Sequence, residues 1–70
     1  MPESCKIIID RLIEQRHNLG MTQSDLAKAA CLTQSAIARL ESKRTIPQLD
    51  TLLKVADALF LDVEIVPAKR

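Results

Sequence analysis

The sequence predicts a small all-α domain: four helices built around a helix-turn-helix, with a short C-terminal β-strand. Three observations carry that expectation. Apolar residues recur at helical spacing in four stretches of this seventy-residue chain. The two middle stretches are short, each opened by a Thr-Gln pair (Thr22-Gln23 and Thr33-Gln34), and a three-residue break at Cys31-Leu32-Thr33 separates them. From Leu61 the helical period gives way to alternation, Leu61-Asp62-Val63-Glu64-Ile65, which is the pattern of a half-buried strand.

The first helix is expected over roughly Ser4 to Asn18. Ile9, Leu12 and Ile13 form its apolar stripe, extended by Ile8 and Cys5, and Gly20 (the chain's only glycine) is available for a left-handed cap. The second helix starts at Thr22. Thr22-Gln23-Ser24-Asp25 fits a capping box, in which the hydroxyl accepts an orphan amide bond and the carboxylate faces the positive helix end. Leu26, Ala27 and Ala30 are its inner face, and the small alanines admit a close neighbour. Thr33 caps a third helix, roughly Gln34 to Ser42. Ile37 and Leu40 point inward, leaving Gln34, Ser35, Ala38, Arg39 and Ser42 outside. Pro47 precedes a fourth helix, roughly Leu49 to Phe60, with Leu49, Leu52, Leu53, Ala56 and Leu59 or Phe60 as its apolar stripe.

The whole chain, residues 1–70, reads as one domain, with the helix-turn-helix at residues 22–42 and the strand at residues 61–66. A lone strand leaves its own amides unpaired. Its simplest partner is the same strand of a second copy about a two-fold axis, with Leu61, Val63 and Ile65 as the dimerisation residues; the alternative is an extended tail that packs Val63 and Ile65 on the body without pairing.

Composition excludes several functions. Phe60 is the only aromatic residue, which argues against stacking platforms for single strands and against an RNA-binding sheet. The chain offers no metal cluster and no cofactor site: its single histidine is His17, and Cys5 and Cys31 form no C-x-x-C pair. No nucleophile–base set or phosphate-cradling loop is visible, so no enzyme is expected. Neither a signal peptide nor a membrane-length apolar run is apparent, and two isolated thiols fit a reducing cytoplasm. Net charge is only +1. Its placement says more: between Ala27 and Leu49, Lys28, Arg39, Lys43 and Arg44 face a single carboxylate, Glu41. Such a basic face suffices for phosphate contacts. A helix whose outer side holds Gln, Ser and Arg suits base edges and phosphates.

At these residues the chain resembles the Cro/phage-repressor helix-turn-helix family, also called Xre-type, with a lambda-repressor-like fold. The resemblance covers about Leu12 to Leu61. It is carried by Arg16, Gly20-Met21-Thr22-Gln23, Leu26-Ala27, Leu32-Thr33-Gln34-Ser35, Ile37, Arg39-Leu40-Glu41, Pro47 and Leu49-Asp50-Thr51-Leu52-Leu53, followed by Ala56 and Leu59. It implies that Gln23 contacts a phosphate and buttresses the third helix. It also implies that Gln34 bonds a base, that Ser35 reaches a base or phosphate, and that Arg39 reaches a guanine edge or phosphate. Thr33, Ser42, Lys43 and Arg44 match positions that clamp the backbone, and Arg16 and Glu41 match an ion pair tying the first helix to the end of the third.

The family usually has Gly where this chain has Cys31, and often Gly where it has Lys43. The first departure suggests a relaxed turn. The second adds charge where the backbone nears phosphates.

The function this implies is a sequence-specific double-stranded DNA-binding regulator, a dimeric repressor on a palindromic operator. Stand-alone domains of this size that end in a short strand also resemble antitoxins of toxin–antitoxin pairs. That implies a second reading, in which the chain binds both its operator and a toxin protein.

Overall fold

A computed structural model describes residues 1–69 and shows four α-helices: α1 (Glu3–Asn18), α2 (Gln23–Ala29), α3 (Gln34–Glu41) and α4 (Leu49–Ala58). The all-α class and all four elements stand where the apolar periodicity places them. α3 packs on both α1 and α2, and α2 also packs on α4. One core joins the helices through Leu12, Leu26, Ala27, Ile37, Leu40, Val55, Ala56 and Leu59, with Met21, Leu32, Leu52 and Leu61 closing its edges.

The buried stripe of α4 differs from the expected one. Val55, Ala56 and Leu59 are buried, whereas Leu49, Leu53 and Phe60 are exposed. Two overlapping helical stripes exist in this segment, one through Leu52, Val55, Ala56 and Leu59 and the other through Leu49, Leu53, Ala56 and Phe60. Periodicity alone fits either. The first is the one that meets α2.

Every helix ends in a left-handed residue: Gly20 (φ 68°), Cys31 (φ 57°), Lys43 (φ 61°) and Phe60 (φ 60°). Three ends close with the six-to-one bond of a Schellman turn. Met21 N donates to Arg16 O (3.0 Å), Leu32 N to Ala27 O (2.8 Å) and Leu61 N to Ala56 O (2.9 Å). The fourth end substitutes a side chain, because the Ser42 hydroxyl donates to Arg39 O at 2.6 Å. The turn at Cys31 is therefore not relaxed as expected. It keeps the left-handed conformation at a cost on the order of 1 kcal/mol for a residue with a Cβ, and this lets Leu32 turn back onto the core.

The strand expected at residues 61–66 is absent, and the described residues contain no strand. Leu61 packs against the core, so it is not a free edge residue. Beyond it, through residue 69, the tail has no regular secondary structure, with Val63 and Ile65 exposed. The alternation supplies a strand's side-chain pattern. A strand also needs backbone partners, and no element among the described residues offers an edge.

Candidate nucleic-acid interface

The helix-turn-helix is assembled from both ends. At its start Thr22 and Asp25 form the full capping box: Asp25 N donates to Thr22 Oγ1 at 3.0 Å, and Thr22 N donates to an Asp25 carboxylate oxygen at 2.9 Å. The Thr22 backbone amide bonded to the carboxylate, and after it the Thr22 hydroxyl, hold the Asp25 carboxyl below its ordinary value, with Lys28 adding a smaller push in the same direction. Thr33 caps α3 by accepting from Ala36 N at 3.1 Å. The cap sets the direction in which α3 leaves the turn, and so the direction in which Gln34 and Ser35 project.

At its far end Glu41 gathers three donors. Arg16 Nε and Nη2 bind its two carboxylate oxygens at 2.7 and 2.9 Å, and Gln23 Nε2 donates at 3.1 Å. Both members of the ion pair are largely buried. Arg16 also donates through Nη1 to Met21 O at 2.8 Å. One carboxylate thus joins α1, the start of α2 and the end of α3. A paired, fully hydrogen-bonded charge is tolerable at this depth, whereas an unpaired one is not. The pair expected between Arg16 and Glu41 is present, and Gln23 joins it.

This inward pairing leaves the outer side of α3 without a neighbouring carboxylate. Gln34, Ser35, Ala38 and Arg39 are exposed there, and Ser42 and Arg44 are exposed just beyond. Among the described residues no hydrogen bond engages the side chains of Gln34, Ser35, Arg39 or Arg44, so their donors are available to a ligand. Ser42 also accepts from Arg44 N at 3.3 Å, which shapes the basic loop that follows. Gln23 is half-buried, and its amide nitrogen has a second hydrogen beyond the one given to Glu41.

Lys43 stands apart. Its Nζ lies 2.6 Å from Asp10 Oδ1 on α1, so its side chain is drawn across the molecule. A neighbour 33 residues away leaves no local trace in the sequence. The same holds for Gln15, whose Nε2 donates to Leu59 O at 3.1 Å and ties α1 to the end of α4.

Residues 12–66 match the protein family described as helix-turn-helix. A relative from Haemophilus influenzae (strain Rd), named as an uncharacterized HTH-type transcriptional regulator, is 40% identical over 62 residues, which is 89% of this chain and 63% of the relative. The chain therefore spans less than two thirds of that relative's length. No solved structure matches it significantly. No helix among the described residues is long and apolar enough to cross a membrane.

Proposed function

We propose, from the premise that this chain belongs to the helix-turn-helix family, that it is a sequence-specific double-stranded DNA-binding transcription regulator, a repressor acting as a homodimer on a palindromic operator. The observation that carries this reading is the outer face of α3. It presents Gln34, Ser35 and Arg39 without intramolecular partners, and the one nearby carboxylate is turned inward onto Arg16 and Gln23. In such a complex α3 lies in the major groove and α2 braces it across the backbone.

In this reading Gln34 pairs with adenine through its amide, and Ser35 reaches a base or phosphate beside it. Arg39, one turn on, meets a guanine edge or phosphate. Gln23, Thr33, Ser42 and Arg44 hold the phosphates. Gln23 can donate to a phosphate through its second amide hydrogen while the first stays on Glu41. Lys43 contributes least, because Asp10 competes for its ammonium group. Two copies present two α3 helices roughly 34 Å apart, one duplex turn.

The test is selection from a pool of random duplexes, with sequencing of what is retained, for wild type and Gln34→Ala. The expected outcome is a palindromic motif whose specificity at one position per half-site collapses in Gln34→Ala, by about 1–3 kcal/mol of discrimination. No enriched motif at low salt, where phosphate contacts are strongest, counts against the regulator reading.

The exposed tail with Val63 and Ile65 favours one second reading, the antitoxin. A segment with exposed alternating apolar residues can add a strand to a toxin's sheet edge. Co-purification of a toxin protein that is lost in Ile65→Lys is the observation that decides for it.

A further inference from the structure

The α4 face that the core does not use is apolar. Leu49 is 69% exposed, Leu53 43% and Phe60 83%. At 100° per residue Leu49 and Leu53 fall about 40° apart around α4, and Phe60 follows just past the helix end. Ile46, 66% exposed, precedes them in the loop, and Ile8 of α1, 47% exposed, shares a groove with Ile46 and with Leu52, one helical turn from Leu49. Ile8 and Leu52 line two adjoining shallow grooves, one reaching Ile46 and Pro47, the other reaching Leu61 and Val63. Apolar lining therefore runs along the α1–α4 seam through Ile8 and Leu52, with Leu49 and Leu53 on the neighbouring side of α4, and no α3 residue lines either groove.

Phe60 adds an independent sign. It is the chain's only aromatic residue, it takes a left-handed φ of 60°, and its ring is almost bare. A left-handed aromatic is disfavoured locally, and an exposed ring adds nothing to this chain's core. Two local costs at one position point to a role outside the monomer.

We propose that this α1–α4 face, centred on Leu49, Leu53 and Phe60, is the surface through which two copies of the chain dimerise. The proposal deepens the dimeric-regulator reading and moves the contact from the tail to α4. The area fits a second copy. At about 150 Å² per fully exposed large side chain, the five patch residues present roughly 450 Å² of apolar surface. That is close to the apolar share of a standard half-interface of about 800 Å².

Charge fits as well. The rim carries both signs, with Arg11 beside Asp62 and Glu64 in one groove and Asp50, Lys54 and Asp57 exposed along α4. A two-fold axis can set each sign against its opposite, and a net charge of +1 per chain opposes association little. Leu49, Leu53 and Ile8 line no groove with α3, and only Ile46, at the edge of the patch, borders one that reaches Arg39.

Sedimentation equilibrium over a micromolar concentration series, on wild type, Leu49→Glu, Phe60→Gly and Ile65→Lys, tests the proposal, with circular dichroism reporting folding. Wild type and Ile65→Lys are expected as dimers, and Leu49→Glu as a folded monomer. Phe60→Gly suits the left-handed backbone, so its monomer stays folded while dimer affinity falls about tenfold or more. A monomeric wild type, a dimeric Leu49→Glu, or a Phe60→Gly dimer of unchanged affinity overturns the proposal. DNA retardation separates it from the reading beneath: Leu49→Glu should still bind a half-site weakly and lose only the tight binding to two half-sites. A wild-type dimer that binds no duplex at all leaves the dimer face standing and removes the regulator.

Discussion

Helices α3 and α4 each bury one stripe and expose another, yet their exposed faces are chemical opposites. α3 shows amide, hydroxyl and guanidinium groups, while α4 shows two leucines and, at its end, a phenylalanine. The difference follows from how each helix is held. α3 is fixed at its N-terminus by the Thr33 cap, at its C-terminus by Glu41, and along its length by Ile37 and Leu40. Its outer face does no structural work and is free to carry polar groups. α4 has no side-chain cap and no ion pair among the described residues. Apart from the Gln15–Leu59 hydrogen bond at its end it is held by apolar contact, and it keeps more apolar surface than the core can cover.

The contrast can be broken most forcefully at the inner face of α3. Ile37→Ala is expected to cost about 3 kcal/mol, a large part of the stability of so small a domain, read from the urea midpoint. Arg39→Ala on the outer face should stay within about 0.5 kcal/mol, and a loss comparable to Ile37→Ala would mean that the outer face is structural after all.

Glu41→Ala comes next, at about 2 kcal/mol, because it strands the largely buried Arg16 guanidinium. Arg16→Ala together with Glu41→Ala should cost less than their sum, and strict additivity in thermal melts would remove the pair as the anchor of α3.

Thr22→Ala should cost about 1 kcal/mol, and Thr33→Ala somewhat less, since only Thr22 belongs to a reciprocal box. Chemical denaturation would resolve the order, and a reversal would shift the weight of the motif from α2 to α3. Cys31→Gly is expected to raise stability by about 0.5 kcal/mol, the relief of left-handed strain less the added freedom of the unfolded chain. A loss of stability there would show that the thiol packs usefully.

The smallest effect is a pH dependence. The Asp25 carboxyl is held below its ordinary value of 3.8. Its contribution is therefore present above that value and is lost as the pH falls through the lower folded-state value. The stability gap between wild type and Asp25→Asn should be constant near neutral pH and close in acid, and a gap that widens in acid would contradict the capping geometry.

Much of the fold was legible because its signals are local. Thr22, Asp25, Thr33 and Gly20 act within a turn of themselves, and a helical period needs only one helix to be seen. The Arg16–Glu41 pair was legible through resemblance, and because Glu41 is the single carboxylate in a basic stretch. The left-handed Phe60 was not, since the local rule for helix ends looks for glycine, and at Cys31 and Lys43 only the glycine usual in the family pointed to it. The tail misled because alternation is only half of a strand. Lys43 was read for its charge, and the charge is met by Asp10, a partner that no local pattern connects to it.

The sequence by itself determined that four helices form, where they start, and which two make the helix-turn-helix, because caps and periodicity act over a few residues. Only the tertiary structure decided which of two apolar stripes on α4 is buried, where the Lys43 side chain goes, and that the tail stays unpaired. Each of those depends on what lies across the fold, and burial, ion pairing and strand formation all require a partner that the chain's own linear order does not name.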